Sequence, residues 1–167
     1  MTKLSHLDEQ GAARMVDVSE KNITVREAQA TAVIVLSPDA YNVALSSDAP
    51  KGDVLGVARL AGIMAAKKTS ELIPLCHPIP LTKANIEFEL QDDRSALRIL
   101  ATARTTAQTG VEMEALVAVT IAALTVYDMV KAIDRGAVIE GIRLLSKSGG
   151  KSGTYTAPDA PYSSSGE

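Results

Sequence analysis

Glu112 and Glu114 open the stretch GVEMEALVAVTIAALTVYDMVKA (110–132), and Asp128 and Lys131 close it. Carboxylates accept hydrogen bonds from N–H groups. An aspartate with a lysine one turn away offers a base and an acid together. Lysines recur next to glycines or at the ends of elements: Lys51 in APKGD, Lys67 and Lys68 in AAKKT, Lys147 and Lys151 in LLSKSGGKSG. In a chain of net charge −3, ammonium groups gathered in this way suit phosphate oxygens. Each residue also has an ordinary role. Glutamates at a helix start and lysines at its end complement the macrodipole, and Asp128 with Lys131 forms an i, i+3 surface pair. The dipole accounts equally well for Lys67 and Lys68, so Lys51 and Lys147 carry more weight.

The segment IPLCHPIPL (73–81) contains Pro74, Pro78 and Pro80, which exclude a helix or a central strand and make a stiff mount for Cys76 and His77. The other histidine, His6, lies in a polar N-terminus, so no zinc ligand set is complete and no metal site is expected. Neighbours in extended chain point to opposite sides, which argues against Cys76 and His77 as a nucleophile and its base. GGKS (149–152) lacks the earlier glycine of a phosphate-binding loop, since Leu145 stands there, and no helix follows; the segment reads as a basic flap.

The elements that must position these groups can be read in order. ITVREAQATAVIVL (23–36) is a strand by its Thr, Val and Ile content, and MVDVS is a short candidate before it. Ser37 followed by Pro38 starts one short helix, and Asp53 caps a second that runs to about Lys68. ANIEFEL and ALRILATA alternate as a hairpin around QDDRS; the long helix follows, and VIEGIRLLSK is a last strand. Strand, helices, strand, strand, helix, strand predicts an α+β fold, a ferredoxin-like antiparallel sheet with helices on one face.

A chain of 167 residues at 46% apolar content suits one domain with its own core. Residues 15–147 are expected to form it, with 1–14 and the Gly/Ser-rich 148–167 loose at either end. The acidic balance and the absence of Trp speak against nucleic acid, the threonines in 110–132 against a membrane span, and the single cysteine for a reducing cytoplasm.

Between Leu116 and Val126 only Thr120 and Thr125 are polar, and both can turn their hydroxyls onto the helix backbone. A helix this apolar needs cover on more than one side. Ala115, Ala118, Ala122 and Ala123 would admit another helix closely, which predicts a subunit interface along it. Glu114 and Asp128 are separated by roughly 21 Å of helix, so one small ligand reaches both only if a second copy lies antiparallel and the site falls between subunits.

The stretches MVDVSEK (15–21), KGDV (51–54), LIPLCHPIPL (72–81), TGVEMEAL with YDMVKA (109–132) and LLSKSGGKSG (144–153) together resemble the MoaC family, the cyclic pyranopterin monophosphate synthases of molybdenum-cofactor biosynthesis. The resemblance implies a homohexamer built as three dimers of ferredoxin-like subunits. It implies conversion of 3′,8-cyclo-7,8-dihydroguanosine 5′-triphosphate to cyclic pyranopterin monophosphate and pyrophosphate. By motif, Lys51, Asp128 and Lys131 would be catalytic, while Leu75, Cys76, His77, Glu112, Met113 and Glu114 would bind substrate. Arg26, Lys67 and Lys147 follow as phosphate or pocket contacts. No cofactor is required, and Mg2+ accompanying the triphosphate is compatible with the substrate's chemistry. The alternative from another class is a non-catalytic ferredoxin-like regulatory module that binds a nucleotide at a subunit interface.

Overall fold

In the computed structural model, residues 10–46 and 52–158 are described. β1 (Thr24–Val35) runs through the middle of the sheet, and Ser37 then caps α1 (Pro38–Leu45) by accepting a hydrogen bond from the Ala40 amide. Asp53 does the same for α2 (Val54–Lys67) through the Gly56 amide, followed by the single turn α3 (Thr69–Leu72). Both caps fall where the sequence puts them, because an oxygen-bearing side chain ahead of a helix satisfies an otherwise orphaned N–H. β2 (Leu81–Gln91) and β3 (Ala96–Ala107) form the hairpin, turned by a 3-10 segment at Asp92–Arg94 and by Ser95 in the left-handed region at φ 49°. α4 (Glu112–Val130) and β4 (Val138–Ser148) complete the main elements.

The sheet is antiparallel in the order β2-β3-β1-β4-β5. The last member, β5 (Tyr155–Thr156), pairs with β4 and lies in the stretch expected from composition to be loose. MVDVS forms no strand; residues 14–18 run as irregular chain. Ala28, Ala30, Ala32 and Ile34 of β1 and Leu97, Ile99, Ala101 and Ala103 of β3 are buried, and α4 packs against both strands. The opposite face is polar, with cross-strand pairs Arg104–Glu27 at 2.6 Å and Arg98–Glu89 at 3.0 Å. One apolar and one wet side follow from the period-2 pattern.

The alanines of α4 find their helix within the chain. Ala115, Ala118, Ala122 and Ala123 are all buried, and a Cβ added to Gly62 of α2 would lie 2.8 Å from the Ala118 carbonyl oxygen and 3.2 Å from the Ala122 Cβ. Small residues on both helices thus permit a close α2–α4 approach. This corrects the expectation that they admit a second subunit: all four are buried within the chain, and at Ala118 and Ala122 the close neighbour is α2. Thr120 and Thr125 donate to the Leu116 and Ile121 carbonyls at 2.8 and 2.7 Å, as expected of hydroxyls on an apolar helix. The outer side of α4 stays apolar and half-exposed at Leu116, Val117 and Ile121, with Leu124 at 48% exposure. α4 is long and apolar enough to cross a bilayer, yet half of it is packed against α2 and the sheet, which makes it a core helix here.

Candidate active site

Two cavities share a wall. The larger, about 300 Å³, is enclosed by Leu75, Cys76 and His77 from the proline-rich loop, Glu112, Met113 and Glu114 from the first turn of α4, Thr109 and Gly110 just before it, and Val16, Val18 and Lys21 from the N-terminal arm. The second, about 270 Å³, is bounded by Lys67 and Ala66 at the end of α2, Thr69 and Ser70 of α3, and Pro78, Ile79 and Pro80. His77 and Glu114 face both.

The loop delivers its residues through a turn. The Cys76 amide donates to the Ile73 carbonyl at 3.1 Å, which bends the chain so that Leu75, Cys76 and His77 all line one cavity. Cys76 and His77, neighbours in sequence, thus line the same cavity. Thr105 anchors the far end of the loop, its hydroxyl donating to the Pro80 carbonyl at 2.6 Å. His77 Nε2 lies 2.7 Å from the Val16 carbonyl oxygen. A carbonyl can only accept, so Nε2 carries the proton, and in the neutral ring Nδ1 is left as acceptor.

Glu114 is the buried charge of the site, 4% exposed. Burial pushes its carboxyl up to about 7 and the neighbouring Glu112 carboxylate adds to this, while its own backbone N–H pulls the other way. Glu114 is therefore divided between its acid and carboxylate forms near neutral pH. Burial, and secondarily Glu114, raises the Cys76 thiol as well, which keeps it protonated and a poor nucleophile. The Glu112 carboxylate folds back over Gly110, where any Cβ would overlap it. It thereby brings negative charge to an N-terminus whose Val111 cap supplies no side-chain acceptor.

Other residues singled out in the sequence lie elsewhere. Asp128 and Lys131 pair at 2.6 Å at the opposite end of α4, both more than half exposed. Arg26 turns its guanidinium to the chain before α4, Nε donating to the Ala107 carbonyl at 3.0 Å and Nη2 to the Gln108 carbonyl at 3.1 Å. The Lys147 ammonium, near the end of β4, donates to the Ser152 hydroxyl of the β4–β5 loop. Lys51 and His6 lie outside the described residues. One chain thus brings together Leu75, Cys76, His77, Glu112, Met113 and Glu114, sets Lys67 in the adjoining cavity, and holds Asp128 and Lys131 away.

The sequence of residues 15–150 matches the family model described as MoaC family. The chain belongs to the MoaC family. Among curated relatives, a cyclic pyranopterin monophosphate synthase of Methylobacterium sp. (strain 4-46) is 59% identical over 160 residues, covering 96% of this chain and 100% of the relative. Proteins of the same name from Pelotomaculum thermopropionicum and Herpetosiphon aurantiacus are 57% and 52% identical, covering 93% and 97% of this chain and 91% and 99% of their own lengths. Several cavity residues had escaped residue-by-residue reading: Val16, Val18 and Lys21, Thr109 and Gly110, and the Thr69–Ser70 wall of the second lobe. A signal for the first five was present, since all lie within the MVDVSEK and TGVEMEAL stretches. Their side chains have no periodicity or spacing that marks a site.

Proposed function

We propose that this chain is a cyclic pyranopterin monophosphate synthase of molybdenum-cofactor biosynthesis, a lyase that converts 3′,8-cyclo-7,8-dihydroguanosine 5′-triphosphate to cyclic pyranopterin monophosphate with release of pyrophosphate. The observation that carries this reading is near-full-length identity to relatives of that name, 59% over 160 residues in one case. The cavity supports it. Glu112 and Glu114 offer acceptors for the amino and N–H edge of a guanine-derived ring, a pattern that an adenine-type edge cannot satisfy. Lys67 in the adjoining lobe supplies a cation for the phosphates, and Arg26 and Lys147, which line neither cavity in one chain, are assigned further phosphate contacts by the family motif. Closure of the cyclic phosphate forms a bond from a ribose-derived oxygen to the α-phosphorus and breaks the bond to the bridging oxygen, so charge grows on the departing pyrophosphate. Ammonium groups that grip this charge most tightly in the transition state raise the rate. Lys51, Asp128 and Lys131 are assigned the acid–base steps of ring opening and C–N bond formation. The scheme uses no resident cofactor, and any Mg2+ enters with the triphosphate as part of the substrate.

The same reading includes a ferredoxin-like subunit, supported by the β2-β3-β1-β4 order with two crossovers on one face. It includes a cytoplasmic homohexamer of three dimers, supported by the half-exposed apolar outer side of α4, and a single catalytic domain over 15–147. Incubating the purified protein with the cyclic triphosphate should release pyrophosphate and form cyclic pyranopterin monophosphate. A folded Lys131→Ala protein should lose turnover by orders of magnitude. A regulatory module would bind the triphosphate and release nothing; wild-type turnover in Lys131→Ala would remove that residue from the mechanism.

A further inference from the structure

One wall of the larger cavity comes from the N-terminal arm, ahead of the sheet and helices. Residues 16–21 run as irregular chain, with Val16, Val18 and Lys21 lining the cavity. Their internal order is local. The Asp17 carboxylate accepts from the Ser19 amide at 2.9 Å and from the Ser19 hydroxyl at 2.7 Å, and the Lys21 amide donates to the Val18 carbonyl at 2.9 Å. Among the described residues, two side chains connect this strap to the rest of the site. His77 Nε2 donates to the Val16 carbonyl at 2.7 Å, and the Gln108 side-chain amide donates to the Ser19 carbonyl at 3.1 Å. These bonds grip the strap three residues apart, one from the proline-rich loop and one from the chain leading into α4.

Gln108 is itself fixed from beneath. Arg26 of β1 donates to the Ala107 and Gln108 carbonyls, and Gly150 of the β4–β5 loop sits so close that a Cβ there would overlap the Arg26 guanidinium. The chain at 107–108 is therefore held to the sheet while its side-chain amide reaches across to the strap. A bond between a side chain and a backbone carbonyl at the solvent edge contributes little enough that the strap can part from its wall and return. That is what a cavity needs in order to admit a bulky triphosphate and then exclude water.

We propose that residues 16–21 are a closing wall of the site and that Gln108 is its latch, a positioning residue that acts on substrate through the strap. The proposal rests on the catalytic reading above. Val16, Val18 and Lys21 come into place over the ring pocket only while the Ser19 carbonyl is held, and Gln108 makes no chemical contribution of its own.

The test compares Gln108→Glu and Gln108→Met with wild type in two measurements. Both replacements remove the N–H donor, one adding charge and the other none, and neither touches the hydrophobic core. Hydrogen exchange of the peptide spanning the strap, read without substrate, should accelerate severalfold in both variants, while peptides from α4 and β1 keep wild-type protection. In the pyrophosphate-release assay KM should rise by about two- to tenfold, as loss of one such hydrogen bond implies, with kcat changed far less. Wild-type exchange in the strap, or a wild-type KM in both variants, would overturn the latch. A fall in kcat alone would also overturn it, because it would assign Gln108 to the chemistry. If wild-type protein itself releases no pyrophosphate, the catalytic reading fails, and the exchange measurement still decides whether Gln108 holds the strap.

Discussion

Glu114 combines a buried position with an acid that titrates near neutrality, and the consequence for stability has a definite sign. Its folded pKa of about 7 lies above the ordinary 4.5, so across that interval the folded chain binds more protons than the unfolded one. Stability then falls as pH rises through the window, and the penalty is complete above it. Glu114→Gln keeps the shape and removes the charge. The variant should melt close to wild type near pH 4.5 and above it at pH 8, by on the order of 2 kcal/mol or roughly 5 °C. Thermal melts at the two pH values check this; a variant less stable than wild type at pH 8 would mean that the carboxylate is satisfied where it lies. The same substitution should weaken substrate binding, since an amide accepts through one oxygen where a carboxylate accepts through two. A residue that costs stability and lies in the wall of both cavities is the pattern expected of a site residue. In the sequence Glu114 is one of two glutamates at a helix start. It is buried where α4 meets the proline-rich loop, lining both cavities with His77, a placement that helix periodicity does not encode.

Among the elements, α2 and α4 are held together by what is missing from their surfaces. Gly62→Ala would bring a Cβ to 2.8 Å from the Ala118 carbonyl oxygen, and neither backbone can yield without parting the helices. The variant should lose about 1–3 kcal/mol, the cost typical of overpacking a core, seen as a lower Tm. An unchanged Tm would show that the contact between the helices is loose. Local signals were legible in this part of the chain: Ser37–Pro38 and Asp53 are caps that depend on a few adjacent residues, and ANIEFEL alternates because one face is buried. Contacts made across long separations were not. The alanines of α4 announce that some helix comes close without saying which, and α2 of the same chain fills that place. The strap reaches His77 and Gln108 from 61 and 89 residues away through backbone carbonyls, groups that every residue carries and no sequence pattern distinguishes.

At the scale of the whole molecule, the α2–α4 pair separates the proposed catalytic group from the pocket. Gly62 meets Ala118 and Ala122, while Lys67 shares a cavity with Glu114, so the two helices run in opposite directions. The ring pocket lies where α2 ends and α4 begins. Asp128 lies at the other end of α4, where α2 begins, roughly 21 Å from Glu114 along the helix, with Lys131 about a turn further on. No small substrate spans that distance, so under the proposed assignment of Asp128 and Lys131 to the reaction a site is completed by a second copy of the chain. The outer side of α4, with Leu124 at 48% exposure, and Leu60 on α2 at 60%, provide apolar surface on which such a copy could pack. Glu114→Ala and Asp128→Ala proteins, each inactive alone, should therefore recover activity when dissociated and reassembled together. In a mixed dimer one of the two sites receives both intact halves. Random pairing makes about half the dimers mixed, with one intact site of two in each, so recovery should approach about a quarter of the wild-type rate if subunits pair as two-fold dimers. Verified subunit exchange with no recovery would mean that each chain builds its own complete site, and that Asp128 and Lys131 serve the surface rather than the reaction.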